Sequence, residues 1–421
     1  MSTAIHHVYK FRLYPTKEQK ILLDKTFGCC RFLYNTMLKE RLNVYQQFQD
    51  DKGALKNYHY TTESQYKKVY PFLAEVDAKA LQSSTRNLII AFKKFFNSLT
   101  KKKSQRNGYP RFKSKKARQA YTTHNINNNI KIDFGQRRLK LPKIKTWLRY
   151  KDNRFFQEKI RHVTVSKTKS EKYYVSILII KEVTINSLST IREERLAAFD
   201  MSASKFLISE IWDAKNPRFY RNEEKRLKKL HRQVSRKKKG SNNRKKARVR
   251  LVCCYEKIFH RKLHWTHAMV NELLNKYDAI ILEDLNIKGM QQFNSGVAKS
   301  VTLDFSWGLF KTILNYKLTR EGKHLMLVDR FFPSSKLCSA CEWKNDQLEL
   351  SEKIWLCEQC GTTHDRDLNA SINLKKEGKV LLKKHNINIL STVGTTGTYA
   401  CGDYGRLFSE SNGRRSKNPS A

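Results

Sequence analysis

The chain is short of acidic residues. It contains 38 Asp and Glu against 84 Lys and Arg among 421 residues, which gives a formal net charge of +46 at pH 7. A charge of this size repels itself unless counterions or a polyanion neutralise it. Because each phosphate contact releases condensed counterions, a long nucleic acid is the partner that we expect. A basic membrane-surface protein is the alternative, and no basic helix with a clean apolar face favours it.

Long hydrophobic runs are also missing. No apolar segment reaches the roughly 20 residues that span a bilayer, and the N-terminus lacks the apolar core of a secretory signal. We therefore expect no membrane association and a reducing compartment. The hydrophobic fraction of 39% and the aromatic fraction of 11% indicate packed domains rather than a disordered polymer. The length allows two or three such domains.

The cysteines do not suit a disulfide framework, since their number is odd, nine in all, and two pairs are adjacent in sequence. Four of them have the spacing of metal ligands, two Cys-x-x-Cys pairs separated by fifteen residues. This pattern predicts one tetrahedral zinc ion with a closed thiolate shell, which makes the site structural and not catalytic. The four expected ligands are Cys338, Cys341, Cys357 and Cys360. Those expected to be buried small hydrophobes are Cys29, Cys30, Cys253 and Cys254.

The N-terminal part reads as one strand followed by helices. Residues 6–14 largely alternate polar and apolar, and Thr16 begins a Thr-x-x-Gln sequence that is close to a helix capping box. We expect Gly28 to break the first helix, so that a second one runs to about Phe48. The range Leu73–Leu99 is typical of mostly one long helix with a basic polar side.

Short strands follow a basic linker at residues 101–108. Their basic ends and polar turns predict a small barrel of the oligonucleotide-binding type, with a purely structural barrel as the alternative. The predicted strands are Ala120–Thr123, Ile130–Phe134, Arg138–Leu141, Ile160–Ser166 and Tyr173–Lys181.

A helical block at residues 217–276 carries an extreme basic run. Lys225 to Arg250 contains fourteen Lys and Arg, and a Gly-Ser-Asn-Asn stretch at 240–243 predicts a turn between two helices. Such runs are usually only solvated. This one exceeds what solubility needs, so phosphate binding is the better interpretation.

Three carboxylates stand at the ends of predicted elements. Asp200 and Glu283 each end an apolar strand, and Asp367 opens a helix just beyond the last cysteine pair. Together they predict a site for two Mg²⁺ ions, because Mg²⁺ prefers carboxylate and water oxygens. Two such ions about 4 Å apart can activate water and stabilise the leaving oxygen of a phosphodiester. Asp284 as a helix cap and Asp365 as the third acid are the alternatives.

Several longer motifs carry a family resemblance. They are Tyr9–Pro15, Phe27–Asn35, Tyr109–Lys113, Ser235–Gly240, Phe332–Cys338 and His364–Ala370. With the cysteine spacing, they identify the chain as similar to TnpB, the transposon-encoded RNA-guided DNA endonucleases of the OrfB insertion-sequence family. That family is related to type V CRISPR effectors.

The resemblance implies a multidomain α+β fold. It contains an RNase H-like RuvC nuclease domain with an inserted four-cysteine zinc ribbon, an N-terminal helical recognition domain and a small OB-like β-barrel wedge domain. The implied boundaries are 1–14 and 105–190 for the wedge, 15–104 for the recognition domain, 191–335 and 361–390 for the nuclease, 336–360 for the zinc insertion and 391–421 for a disordered tail.

The resemblance also assigns the catalytic acids. The family's RuvC-like triad corresponds to Asp200, Glu283 and Asp367, which would hold two catalytic Mg²⁺ ions. The family usually has a glycine in the turn after the first acid, whereas this chain has Met-Ser-Ala-Ser at 201–204. We expect this departure to change the shape of the turn more than the activity.

The implied partners are a guide RNA from the transposon end and double-stranded target DNA, bound by a monomeric, cytoplasmic and nucleoid-associated prokaryotic ribonucleoprotein. Gln82 is the candidate reader of a target-adjacent motif, because glutamine can pair bidentately with adenine. Tyr60 and Asn127 lie in matching neighbourhoods, and the basic run contributes Arg236, Lys237 and Lys238. The alternatives are a catalytically silent RNA-guided DNA-binding regulator and a transposase or its accessory protein.

Overall fold

The computed structural model describes residues 2–100, 106–201, 205–286, 289, 306–349 and 351–390. The chain divides into two compact units, and we describe each by itself. The first unit comprises residues 1–186 and 217–268, and the second comprises 187–216 and 269–421. The predicted tail at 391–421 and most of the turn after Asp200 lie outside the described residues.

The first unit begins with a strand and a helical segment. The helices are α1 (Lys17–Phe48), α2 (Lys52–Asn57), α3 (Glu63–Val69) and α4 (Ala78–Leu99), with a 3-10 turn at Pro71–Glu75 before α4. Thr16 caps α1 as predicted, since its hydroxyl accepts from the Gln19 amide at 3.3 Å while the Gln19 side chain accepts from the Thr16 amide at 2.9 Å. Asp77 caps α4, so the long helix predicted over 73–99 starts later.

The prediction that Gly28 ends the first helix is wrong. Helix α1 continues through Gly28, where an added Cβ would meet nothing within 4 Å. A glycine inside a helix costs about 1 kcal/mol relative to alanine. Leu23, Phe27 and Leu33 on both sides of it are almost fully buried. Each such side chain contributes about 1.5–3 kcal/mol, so packing outweighs the local preference.

Seven antiparallel strands form the sheet of the first unit, in the spatial order β2-β6-β7-β1-β5-β4-β3. They are β1 (Ser2–Tyr14), β2 (Gln119–His124), β3 (Lys131–Asp133), β4 (Arg138–Lys140), β5 (Leu148–Lys151), β6 (Ile160–Lys167) and β7 (Tyr173–Thr184). The five strands expected within residues 120–181 are present, and sequence analysis missed β5. Closure of this sheet into an OB-like barrel stays a prediction.

The sheet and the helices of the first unit share one hydrophobic core. Phe11 and Leu13 of β1 lie in the same buried cluster as Leu33 of α1 and Leu88 of α4. The side chain of Gln19 also donates to Thr146 Oγ1 at 2.7 Å. The predicted recognition and wedge domains therefore pack as one body in this unit.

Two helices rich in basic residues follow, α5 (Phe219–Ser235) and α6 (Asn242–Lys276). The nuclease range 191–335 stays a prediction, and helix α5 and most of α6 belong to the first unit. Glu256 on α6 supplies the physical reason. Its carboxylate accepts from Ser170 Oγ at 2.6 Å and from Lys172 Nζ at 3.1 Å, which attaches α6 to the loop between β6 and β7.

A parallel sheet with the order β13-β12-β9 forms the centre of the second unit. Its strands are β9 (Leu196–Phe199), β12 (Ala279–Glu283) and β13 (His324–Val328). The remaining strands of this unit are β8 (Thr190–Arg192), β10 (Lys205–Ile208), β11 (Asp213–Lys215), β14 (Ile354–Leu356), β15 (Thr363–Asp365) and β16 (Asn388–Leu390). Strand β9 and the first four residues of β12 are buried and apolar throughout, as expected for a parallel sheet covered on both faces.

Two helices of the second unit are α7 (Trp307–Arg320) and α8 (Arg366–Lys384). Helix α8 lies close to the central strand. A Cβ at Gly378 would stand 2.1 Å from Ile281 Cδ1, so only glycine permits this approach. Among the helices that the structure describes, none has the length and apolar character needed to cross a bilayer.

An acidic residue ties together the amino-terminal edge of the parallel sheet. The Asp278 carboxylate accepts from Arg195 Nε at 2.6 Å and Arg195 Nη2 at 3.0 Å, with Lys323 Nζ 3.3 Å away. Its backbone joins the same segments, because Asp278 N donates to Arg195 O and Asp278 O accepts from His324 N. The Arg195 hydrogen bonds, and then those of Lys323, lower the pKa of Asp278.

We predict that Asp278→Asn destabilises the second unit by about 1–2 kcal/mol at pH 7, a value reduced for the partial exposure of Arg195. A depressed pKa contributes stability above the unfolded pKa, about 3.9, and loses it as pH falls through the folded pKa. The difference between variant and wild type should therefore shrink below about pH 4. Urea unfolding at both pH values checks this.

Glu272→Gln is the matched control, because Glu272 forms an exposed pair with Lys276 at 2.9 Å. Exposed pairs on a helix contribute only about 0.3–0.5 kcal/mol. Equal losses for the two variants at pH 7 would contradict the structural role of Asp278.

Candidate active site and metal centre

The carboxyl ends of β9 and β12 meet at one edge of the parallel sheet. Asp200 follows β9 directly, and its backbone exchanges two hydrogen bonds of 2.9 Å with Ile208 at the end of β10. Glu283 is the last residue of β12. Asp367 lies in the first turn of α8, whose Leu374 is buried in the same core as Ala198 and Ile281. The structure thus brings the three predicted acids to one edge.

Electrostatics show that Asp200 is the central member of this group. Burial raises the pKa of the Asp200 carboxyl to about 7, and the Asp367 and Glu283 carboxylates add to the rise. Burial also raises the pKa of Glu283, with a further contribution from Asp284 and opposition from Lys311. Asp200 and Glu283 are half-buried, and acids whose pKa is raised by desolvation and by acidic neighbours are found at functional sites more often than elsewhere.

The oxygens of the three acids do not form a compact cluster around one point. Within the described residues, only the four cysteines bring three or more potential ligand atoms within 4.8 Å of one another. The oxygens of Asp200, Glu283 and Asp367 are therefore spread more widely than a closed shell around a single ion. The donor set, three carboxylates, fits Mg²⁺.

The rival acids have other partners. Asp284 accepts from Lys311 Nζ at 2.9 Å and from Arg330 Nη2 at 2.8 Å, and the Lys311 hydrogen bond lowers the pKa of Asp284. Asp365 caps α8 and accepts from the amides of Asp367 and Leu368, each at 3.0 Å. Both contacts are structural, which favours Glu283 and Asp367 as the metal-facing acids.

Arg366 is a residue of this site that sequence analysis missed. Its Nη2 lies 3.3 Å from Asp367 Oδ1, and its charge lowers the pKa of Asp200. Its position beside Asp367 in the His364–Ala370 motif was the available signal.

The four predicted cysteine ligands form one cluster. The Sγ atoms of Cys338 and Cys360 are 3.6 Å apart, and so are those of Cys341 and Cys357. Four thiolates at Zn–S distances near 2.3 Å in a tetrahedron stand about 3.8 Å from one another. The cluster therefore has the dimensions of a tetrahedral metal centre. Of the other cysteines, Cys29, Cys30 and Cys254 are buried as predicted, whereas Cys253 is only half-buried.

Two asparagines connect this cluster to the helix that carries Asp367. Asn369 accepts from the Ser339 amide at 2.9 Å and donates to Leu337 O at 2.6 Å. Asn373 donates to Leu337 O at 2.7 Å. Both asparagines are almost fully buried. Since they lie one helical turn apart, they fix the first cysteine loop against α8, a role that spacing alone did not reveal.

A buried histidine also contacts the cluster. His364 Nε2 lies 3.0 Å from Cys338 Sγ, and its ring centre lies 4.8 Å from that of Trp355 on the paired strand β14. Burial lowers the pKa of His364, which favours the neutral ring. With Cys338 bound to a metal as a thiolate, Nε2–H would be the donor of this contact. Groups that donate to metal ligands in this way orient them and strengthen binding.

The predicted nucleic-acid residues all lie in the first unit. Gln82 is exposed on α4, whereas Tyr60 is half-buried with the Arg41 guanidinium 4.2 Å above its ring. Asn127 is exposed in a turn with φ of +50°, a conformation that asparagine tolerates well. The turn alone is therefore a sufficient reason for an asparagine at this position. Their contacts with nucleic acid stay predictions.

Arg236, Lys237 and Lys238 are exposed at the end of α5. Arg236 also borders a basic cleft of about 540 Å³, which is lined by Lys225, Lys228, Lys229, Arg232, Gln233 and Arg236. The geometry suits phosphate oxygens, and contacts of Arg236, Lys237 and Lys238 with nucleic acid stay predictions.

The chain is similar to known proteins along most of its length. A Streptomyces pristinaespiralis protein, provisionally named as an RNA-guided DNA endonuclease, is 32% identical over 383 residues, which cover 90% of each chain. InsQ of Escherichia coli (strain K12), with the same provisional name, is 26% identical over 89% of this chain and 92% of its own. A TnpB-like protein of Acanthamoeba polyphaga mimivirus, L79, is 31% identical over 38% of this chain and 31% of its own.

Family profiles match three parts of the chain. The descriptions are "Helix-turn-helix domain" of OrfB from IS605 over residues 1–50, "Probable transposase" of the same group over 183–294, and "Cas12f1-like, TNB domain" over 307–374. Residues 1–50 hold one continuous helix after β1.

One solved structure has the same fold. Cas12f1, in its complex with sgRNA and target DNA, matches with a TM-score of 0.52 and 13% identity, covering 88% of this chain and 99% of that one. The protein thus has a Cas12-like multidomain α+β fold with a four-cysteine cluster. Its sequence places it further: the chain belongs to the TnpB family, the OrfB proteins of IS605-type insertion sequences.

We predict that His364→Phe weakens metal retention by the cysteine cluster about 10- to 100-fold, because the ring packing on Trp355 is kept while the N–H donor is lost. Competition with a chromogenic chelator in the full-length protein measures this. Thr363→Val is the control, since Thr363 is the exposed neighbour of His364 on β15 and its replacement should leave metal retention unchanged. Unchanged retention in His364→Phe would contradict the role of the histidine.

Proposed function

We propose that this protein is an RNA-guided endonuclease that cleaves double-stranded DNA beside a short target-adjacent motif and so supports maintenance of its insertion sequence. One observation carries the proposal: three acids whose charges act on one another stand at the carboxyl edge of a parallel sheet, in a chain of net charge +46. Open α/β sheets hold their functional residues at this edge. The provisional names of the relatives point to the same activity.

Asp200, Glu283 and Asp367 would hold two Mg²⁺ ions. When bound, these ions would supply an activated water and stabilise the leaving oxygen of the phosphodiester. Asp200 gives up a proton to take this role, because its pKa stands near 7 in the absence of a cation. Lys311 and Arg330 hold Asp284 away from the ion-binding group, and Arg366 balances the charge of Asp367 until the site is filled.

One Zn²⁺ ion would occupy the cysteine cluster and act structurally, because four thiolates leave no open position for chemistry. Hydrogen bonds from Asn369 and Asn373 to Leu337 would fix the metal-bound cluster against α8, the helix that carries Asp367. The zinc would thus orient a catalytic acid without contacting the substrate.

A guide RNA and the target DNA would bind along the basic surfaces of the first unit. Besides the cleft beside α5, a larger one of about 750 Å³ is lined by Arg31, Lys115, Lys116, Arg118, Lys167, Lys169, Lys245 and Arg248 with few acids. Two such clefts in one unit offer many phosphate contacts, which suits a structured RNA better than a short ligand.

The triad is tested with Asp200→Asn, Glu283→Gln and Asp367→Asn. Each should lower plasmid cleavage by at least about a hundredfold, while the complex with copurifying RNA and target DNA still forms. Both properties are measured on the same preparation, by gel and by filter binding. The size and shape of each side chain change little in these isosteric variants, so folding should persist.

Asp365→Asn is the matched control, because asparagine also caps helices well and the variant removes a charge two residues from Asp367. A wild type that binds its target without cutting, with the triad variants behaving alike, would favour the silent regulator, whereas full cleavage by the three variants would exclude the triad as the catalytic site. Joining of element ends without RNA would instead favour the transposase that one family description suggests.

Gln82 is tested in a library of randomised flanking sequence. Gln82→Ala should relax the preference at one position of the target-adjacent motif, since a bidentate contact contributes about 1–3 kcal/mol of discrimination. Gln47→Ala, an exposed glutamine on α1, should leave the preference unchanged. Identical motif profiles for wild type and Gln82→Ala would exclude Gln82 as a base reader.

A further inference from the structure

Phe331 is the most exposed large hydrophobic side chain in the described part of the chain, at 86%. Single exposed apolar residues are common on protein surfaces. Phe331 differs because its backbone is fixed and because the turn that carries it also contacts an acid at the edge of the candidate active site.

The turn that carries Phe331 is held at both sides. Asp329 Oδ1 accepts from the Phe331 amide at 2.8 Å, and Asp329 O accepts from the Phe332 amide at 3.0 Å. The neighbouring Phe332 packs against the core of the second unit. Ser334 follows and is anchored through its carbonyl to Asn373 at 2.8 Å. One phenylalanine therefore fixes the turn, and the other projects into solvent.

This turn leaves the sheet at the edge that carries the acids. Val328, the last residue of β13, is paired in register with Glu283, and its carbonyl accepts from the Asp284 amide at 2.9 Å. Arg330 then reaches back to Asp284 at 2.8 Å. Phe331 comes next in the chain, so its turn stands beside the candidate ion-binding group.

We propose that Phe331 is a stacking platform for one base of a single-stranded DNA segment that enters the candidate active site. The inference rests on the proposed nuclease function and adds the residue that positions the strand. The same turn supplies complementary charge, since Arg330 precedes the ring in the chain and shares Asp284 with Lys311. Aromatic faces flanked by basic groups bind single strands by stacking, independently of sequence.

A protein partner fits this surface less well. Docking surfaces for proteins are contiguous apolar patches of several hundred Å², whereas Phe331 is flanked in sequence by Arg330 and by the core-packed Phe332. A single ring beside a cation matches a nucleobase with its phosphate.

The experiment uses full-length Asp200→Asn protein with its copurifying RNA, so that no cutting interferes with binding. The probe is a single-stranded oligodeoxythymidylate that carries one 2-aminopurine. Phe331→Ala should weaken binding of the probe roughly 5- to 150-fold. It should also abolish the fluorescence quenching of 2-aminopurine placed at the position that stacks on Phe331. Phe331→Trp should restore both, whereas Phe331→Leu, which is apolar without an aromatic face, should not.

An abasic site at the stacked position should remove the difference between Phe331 and Phe331→Ala, because no base remains to stack. Ile211→Ala, which alters a side chain that is 79% exposed in the same unit, should bind like the parent. Three results would overturn the proposal. They are equal affinity of Phe331→Ala and its parent, full rescue by Phe331→Leu, and a changed oligomeric state of Phe331→Ala in light scattering. Failure of the nuclease proposal would show instead in the plasmid cleavage assay of the triad variants. The binding assay with Phe331→Ala measures no cleavage, so the two failures are distinguishable.

Discussion

Repulsion among three half-buried carboxylates is the constraint on which the candidate site of the second unit depends. Asp200 meets the charges of Asp367 and Glu283 in a desolvated position, and without a scaffold these side chains would turn apart toward water. The scaffold fixes the backbone position of each of the three acids. Strand β9 ends at Asp200, β12 ends at Glu283, and α8 places Asp367 in its first turn. Each of these backbone segments is held by a separate set of contacts.

Ladder hydrogen bonds and the Asp278 contacts hold the two strands, while packing and buried amides hold the helix. Gly378 lets α8 approach Ile281, and Asn369 and Asn373 attach the cysteine cluster to the same helix. The two edges of the parallel sheet are thus opposite in character. At the amino-terminal edge an acid is neutralised by Arg195 and Lys323, which lower its pKa. At the carboxyl edge burial and two neighbouring acids raise the pKa of Asp200, and the charge of Arg366 opposes that rise.

Local patterns were enough to find the parts of this site that end elements. Asp200, Glu283 and Asp367 stand where apolar strands stop or a helix begins, and the cysteine pairs have an unambiguous spacing. Patterns failed where tertiary packing decides. Gly28 lies inside a helix because Leu23, Phe27 and Leu33 are buried beside it. Strand β5 was missed although its four residues alternate between buried and exposed, because only its pairing with β1 and β4 distinguishes it from a loop. The contacts of His364 and Asn369 join segments that no spacing rule connects.

The central position of β1 has a consequence for how the chain is made. Arg12 pairs with Lys151 of β5 and Val8 pairs with Leu178 of β7, so β1 leaves the ribosome about 140 residues before its first neighbour and about 170 before its second. At roughly 5–20 residues per second, this takes on the order of ten seconds or more. Helix α1 can form at once, but the strand before it must wait, with its hydrogen-bonding groups open to water or to a chaperone. Biosynthesis therefore places the assembly of the first unit late, after translation of β7.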